Sequence, residues 1–142
     1  MSAFSNLRMS GRNQVSLAFL ALLTTVVFYQ YSTQRFDVPS VNVAEGRTLI
    51  DQGATVVDVR GSQAFGNRHI AGALSLPLEI LRSGVPTSFA VPKDKAILVY
   101  CGDGVTNGPE GTAILRNAGY AKAVNLEPGI EGWVAAGQAV EK

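Results

Sequence analysis

Apolar residues are laid out in two different ways along this chain. From Val15 to Tyr31 (VSLAFLALLTTVVFYQY) they cover every helical face, and residues 13–34 contain no ionisable acid or base other than tyrosine. A helix of about 20 residues, rising about 1.5 Å per residue, crosses a hydrocarbon core of about 30 Å. Residues 13–34 are therefore predicted to form a transmembrane anchor, with Tyr29 and Tyr31 where interfacial aromatics belong. A cleaved signal peptide with Arg8 and Arg12 as its basic flank is the competing reading, but no small-x-small site follows Tyr31.

From Phe36 onward the pattern changes to short apolar runs that alternate with helical spacing. Thr55–Val59 (TVVDV), Leu74–Leu76, Ala96–Tyr100 (AILVY) and Ala123–Asn125 read as strands. Val43–Asp51, Pro109–Asn117 and Ile130–Ala136 read as helices, the first two followed by Gly53 and Gly119 as C-terminal stops. Continuous apolar strands between helices imply an α/β domain whose parallel sheet is covered on both faces. The predicted organisation is a short tail over 1–12, the anchor over 13–34, a linker over 35–40 containing Pro39, and one globular domain over 41–142.

Composition agrees with this division. The chain has 142 residues, 46% of hydrophobic type and 16% charged, which is one domain's worth of sequence. Its mean hydropathy of +0.16 is high for a small soluble domain and belongs largely to the predicted anchor. The formal charge is +1, so no cationic surplus exists to displace counterions from nucleic-acid phosphates. Arg8 and Arg12 supply that positive sign, whereas residues 35–142 carry one acid more than base. Those two arginines before the anchor, against Arg35 and Asp37 after it, predict a cytoplasmic N-terminus and a domain on the outer, periplasmic side.

A single cysteine, Cys101, excludes an internal disulfide and a multi-cysteine zinc site. It follows directly on the apolar run ending at Tyr100 and precedes a loop punctuated by Gly102, Gly104 and Gly108, with a helix expected from Pro109. Ligands of open parallel sheets bind beyond the carboxyl ends of the strands. Glycines there let successive backbone N–H groups turn toward one centre, and a helix N-terminus adds its positive end, so a thiolate or an anion attached to it is stabilised. The plainer alternative is a buried cysteine that closes a strand, since free cysteine is among the most buried residue types.

Beyond this local pattern, the chain from Val41 to Trp133 resembles the rhodanese-like sulfurtransferases. The family's upstream signature, D-x-R-x-x-x-E-[FY]-x-x-G-H-I-x-G-A, is met by Asp58, Arg60, Phe65, His69, Ile70, Gly72 and Ala73, with Ala64 and Arg68 replacing the Glu and the first Gly. Its downstream signature is met by Gly119, Tyr120, Leu126, Gly129, Ile130 and Trp133, with Pro128 replacing a glycine. The resemblance implies the rhodanese fold and a persulfide on Cys101, cradled by the N–H groups of Gly102, Asp103, Gly104, Val105 and Thr106.

Many single-domain members carry arginines in this loop (C-R-x-G-x-R), whereas CGDGVT is similar to the C-G-[SA]-G-V-T loop of mercaptopyruvate sulfurtransferases. That likeness implies a proton relay through Asp58 and His69, with Asp103 standing where the relay serine would be. Asp103 also sets a negative charge where dianionic thiosulfate would approach. Arg68 is a candidate for the pocket edge. Arg60 and Arg116 read as structural, and Tyr120 and Trp133 as core. A cysteine phosphatase is excluded because the position six beyond Cys101, where the C-x5-R loop needs arginine, is Asn107.

The expected function is therefore sulfur transfer from a small donor to a thiophilic acceptor at a membrane surface. It requires no metal or organic cofactor, because the persulfide is the carrier. The alternative is a rhodanese-fold accessory subunit of a larger membrane complex.

Overall fold

The computed structural model describes residues 18–27 and 36–142, and the chain divides into two units, Met1–Arg35 and Phe36–Lys142. In the first unit, residues 18–27 are helical with every side chain exposed. The tail over 1–12 and the remainder of the expected anchor lie outside the described residues. Among the described residues no helix is long and apolar enough to cross a membrane.

The second unit is built on a five-stranded sheet. Its strands are β1 (Ser40–Val41), β2 (Thr55–Asp58), β4 (Leu74–Ser75), β5 (Ile97–Tyr100) and β6 (Ala123–Leu126), all parallel and ordered β1-β6-β5-β2-β4. Strands β3 (His69–Ile70) and β7 (Val140–Glu141) form a separate antiparallel pair. Five helices connect them: α1 (Val43–Asp51), α2 (Ser62–Asn67), α3 (Leu78–Ser83), α4 (Gly108–Asn117) and α5 (Gly129–Ala135).

The apolar runs form central strands because both of their faces are covered. Val57, Ile97 and Val99 point into one layer with Leu78 and Leu81 of α3 and Leu115 of α4. Val56, Leu98 and Tyr100 point into the other, with Ile130 and Trp133 of α5 and the apolar side of α1. This is the period of two that a pleated strand imposes. Each fully buried aliphatic side chain contributes about 1.5–3 kcal/mol.

Helix α1 starts where expected because Asn42 and Glu45 close a capping box. The Asn42 side chain accepts from Glu45 N at 3.0 Å and the Glu45 carboxylate accepts from Asn42 N at 2.9 Å. The expected linker is shorter than its sequence suggested. Pro39 and Ser40 are drawn into the sheet, with Asn125 N donating to Pro39 O at 2.9 Å and Ser40 in register with Asn125. Proline lacks an N–H but keeps a carbonyl, so an edge strand can begin there.

Candidate active site

All five parallel strands end on the same side, and Cys101 follows the central one. The strand ILVY is wholly buried, which fixes the direction in which the chain leaves it and sets the Cys101 sulfur at the mouth of the β5–α4 turn. Cys101 itself is 1% exposed.

The loop closes around the sulfur. The N–H of Gly104 donates to Cys101 Sγ at 3.2 Å, and the Thr106 hydroxyl lies 3.8 Å away. The Cys101 thiol donates to Asp103 Oδ1 at 3.3 Å. That same oxygen accepts from Val105 N at 3.0 Å, Thr106 N at 3.0 Å and Thr106 Oγ1 at 2.9 Å. Partial burial would raise the Asp103 carboxyl, but the bonds from Val105, Thr106 and Cys101 outweigh it and hold the group down at about 2. Asp103 is thus a carboxylate throughout the physiological range, turned inward over the sulfur.

Around the unmodified thiol the N–H groups of residues 102–106, expected to cradle a persulfide, are only partly turned to the sulfur. One N–H, that of Gly104, reaches the sulfur, and those of Val105 and Thr106 are taken by the loop's own carboxylate. The sequence pattern shows that N–H groups converge here but not that a side chain of the same loop satisfies them.

The turn between β6 and α5 supports the loop from below. Ile130 N donates to Cys101 O at 3.0 Å and Glu131 N to Gly102 O at 3.1 Å. The two segments approach so closely that a Cβ on Gly129, whose φ is +66°, would fall 2.4 Å from Gly102 O. Glycine is required there both for the left-handed backbone and for the space.

Asp58, His69 and Arg68 bond outside the Cys101 loop, although Asp58 is in register with Tyr100, the residue before Cys101. Asp58, buried at the end of β2, accepts from Arg60 Nη2 at 2.7 Å and from Arg60 Nε at 3.0 Å. Burial opposes the Arg60 charge, and the Asp58 carboxylate outweighs that effect and raises it. Arg60 also lies over the Tyr100 ring, 5.6 Å from its centroid. Burial first, and then the Asp58 carboxylate, push the Tyr100 phenol above its ordinary range.

The His69 ring stacks on Phe65 at 3.9 Å, with Nδ1 3.0 Å from Phe65 O and Nε2 3.3 Å from Glu141 Oε1. Arg68 accepts from Arg60 through its carbonyl at 2.7 Å, and with Arg60, Ala64, Asn67 and Lys142 it lines a cavity of about 490 Å³. Among the described residues no hydrogen bond joins Asp58, His69 or Arg68 to Cys101 or its loop. The structure therefore does not assemble the expected Asp58–His69 relay around the thiol, because each group is committed to holding the segment between β2 and β4. Arg116 is structural as expected, bonding the carbonyls of Ala121 and Ala123.

One residue of the site escaped the sequence reading. Asn125, in β6, is 1% exposed and donates from Nδ2 to Gly104 O at 2.8 Å. Its signal was a single amide in the otherwise apolar run AVNL.

Known proteins place this geometry. Residues 42–136 match the rhodanese-like domain family. The uncharacterized Escherichia coli K12 protein YibN is 32% identical over 126 residues, covering 87% of this chain and 87% of its own. The thiosulfate sulfurtransferase GlpE of Stutzerimonas stutzeri is 27% identical over 97 residues, 68% of this chain and 85% of its own. The human single-domain sulfurtransferase TSTD1 superposes with a TM-score of 0.62 at 27% identity, covering 68% of this chain and 96% of its own. With its strand-borne cysteine, its glycine-rich loop and a match over most of the globular unit, this chain belongs to the rhodanese-like domain family.

Proposed function

We propose that the protein is a membrane-anchored sulfurtransferase carrying sulfane sulfur on Cys101. The observation that carries this reading is the chain's single thiol at the carboxyl end of β5, held against the Gly104 N–H in a strand-loop-helix turn. Likeness to proteins named as sulfurtransferases supports it.

In the first half-reaction the Cys101 thiolate attacks the outer sulfur of a donor. The donor's bond to that sulfur breaks, the remainder leaves with the electron pair, and Cys101 becomes a persulfide. In the second, a thiophilic acceptor takes the terminal sulfur and the Cys101 thiolate leaves with the pair. The outer sulfur changes hands and no external oxidant or reductant is needed.

Asp103 bears on the donor. Its carboxylate must swing away before a donor reaches the sulfur of a cysteine that is 1% exposed, and that movement frees the N–H groups of Val105 and Thr106 for the incoming sulfur. The charge that leaves the cradle remains beside it and repels a dianion more than a monoanion. Mercaptopyruvate or a small persulfide therefore suits the loop better than thiosulfate. Side-by-side cyanolysis with these donors tests the reading. Turnover that requires Cys101 and is poorer with thiosulfate supports it, and a clear thiosulfate preference contradicts the role given to Asp103.

The anchor rests on residues 13–34, which lack ionisable groups other than tyrosine. Within them, residues 18–27 are helical with Phe19 64% and Leu22 61% exposed. Thr24 and Thr25 turn their hydroxyls onto Ala21 O and Leu22 O at 2.8 Å, so neither leaves an unpaired donor for lipid to meet. The arginine bias sets the domain on the outer side.

A second reading, an accessory subunit of a larger membrane complex, draws on the same buried sulfur and occupied cradle. Purification in mild detergent separates the two, since co-migration with a large assembly favours the subunit and migration alone favours a free enzyme.

A further inference from the structure

Among the described residues, Asn125 Oδ1 is the buried side-chain polar atom without a hydrogen-bond partner. Its neighbours in β6, Ala123 and Leu126, are wholly buried. An unpaired amide oxygen in such a place is destabilising, and a hydrocarbon of similar size would avoid that cost. Packing therefore does not account for Asn125, whereas its amide nitrogen does.

Nδ2 donates to Gly104 O at 2.8 Å and to Ser40 Oγ at 3.3 Å. The reverse amide orientation would set oxygen against the Gly104 carbonyl, so this one is fixed. Gly104 is thereby held at both ends, its carbonyl by Asn125 and its N–H on Cys101 Sγ at 3.2 Å. The amide and the sulfur both border Gly108. A Cβ on Gly108, at the start of α4, would lie 2.3 Å from Asn125 Oδ1 and 3.4 Å from Cys101 Sγ.

We propose that Asn125 is a positioning residue of the Cys101 site, fixing the Gly104 carbonyl from β6 and so keeping the Gly104 N–H on the sulfur. Its consequence for turnover rests on Cys101 being the sulfur carrier, whereas its consequence for thiol reactivity rests on the geometry alone. A backbone N–H aimed at sulfur favours the thiolate over the thiol, whereas the Asp103 carboxylate, 3.3 Å from the sulfur and unchanged in the variants below, favours the thiol. Loss of the Gly104 bond moves the pH at which the thiol becomes reactive to higher values.

The test is the pH dependence of Cys101 alkylation by iodoacetamide in the full chain, alongside thermal unfolding and sulfur loading. The midpoint of the rate profile is the quantity read, because loop loosening changes the plateau rate through access to the sulfur. Asn125→Leu removes the donor and the orphaned oxygen while keeping the branched skeleton of the side chain. It is expected to move the midpoint up by roughly one pH unit, the weight of one hydrogen bond to a charged atom. Ser40→Ala, which removes only the second acceptor of Nδ2, is expected to leave the midpoint in place.

If Asn125→Leu does not fold, Asn125→Ser, too short to reach Gly104, must move the midpoint likewise. An unmoved midpoint in a folded variant, or an equal shift in Ser40→Ala, overturns the proposal. A moved midpoint in a chain whose wild type accepts no sulfur supports the positioning role and overturns the sulfur-carrier reading instead.

Discussion

A carboxylate 3.3 Å from the sulfur changes both what can approach Cys101 and what the loop can offer it. Arginine in this loop would draw a dianion inward, whereas under the proposed function Asp103 would repel it, and Asp103 occupies the N–H groups of Val105 and Thr106. Asp103→Ser is therefore expected to raise kcat/KM for thiosulfate by roughly tenfold or more. In the wild type, thiosulfate turnover is expected to rise with salt as the repulsion is screened. A fall with salt would show that the donor meets a net attraction.

The same carboxylate gives a pH signature. Its folded value is depressed to about 2 from an ordinary 3.8. Its contribution to loop stability is therefore complete above the ordinary value and is lost as pH falls through the depressed one. The amide resonances of Val105 and Thr106 are expected to titrate with a midpoint near 2, and a midpoint near 3.8 would mean that the bonds to Asp103 do not hold in solution.

The elements around the site differ in how much of their role a sequence displays. Strand β5, helix α1 and the β5–α4 turn were legible because each shows its own physics locally, as a buried apolar run, a capping box and a glycine-punctuated exit. The expected helix at Pro109–Asn117 begins one residue earlier, at Gly108. Helices α2 and α3 and the β3–β7 pair were not expected. They are short, and what holds them is distant: the bidentate Arg82–Glu110 pair joins α3 to α4, and Glu141 reaches back to Gly72 N at 2.8 Å.

The site divides along the same line. Cys101 and its glycines announce themselves, whereas Asn125 acts on Gly104 across a long stretch of sequence that no local pattern spans. The β6–α5 turn makes a sharp prediction. Gly129→Ala must adopt φ near +66° and meet Gly102 O. It is expected to cost at least about 1–2 kcal/mol from the backbone conformation alone, read from urea unfolding, and to loosen the Cys101 loop as well. An unchanged stability would mean that the turn is not packed against the loop.

Under the proposed function, the whole molecule joins a small sulfur-carrying domain to a bilayer. Replacing both Leu22 and Leu23 by arginine adds about 2.5–3.5 kcal/mol per residue to the cost of burial at the centre of a membrane helix. The wild type is expected to stay in the carbonate-washed membrane fraction and the variant to leave it. Retention of the variant would show that something other than residues 13–34 holds the protein there.

The central claim, that Cys101 carries sulfur, is tested most directly by the intact mass of the full chain after exposure to mercaptopyruvate, thiosulfate and a small persulfide in turn. The wild type is expected to gain the mass of one sulfur atom, cyanide to remove it, and Cys101→Ser to gain nothing. A wild type unmodified by all three donors, or a Cys101→Ser variant that still takes up sulfur, would contradict it.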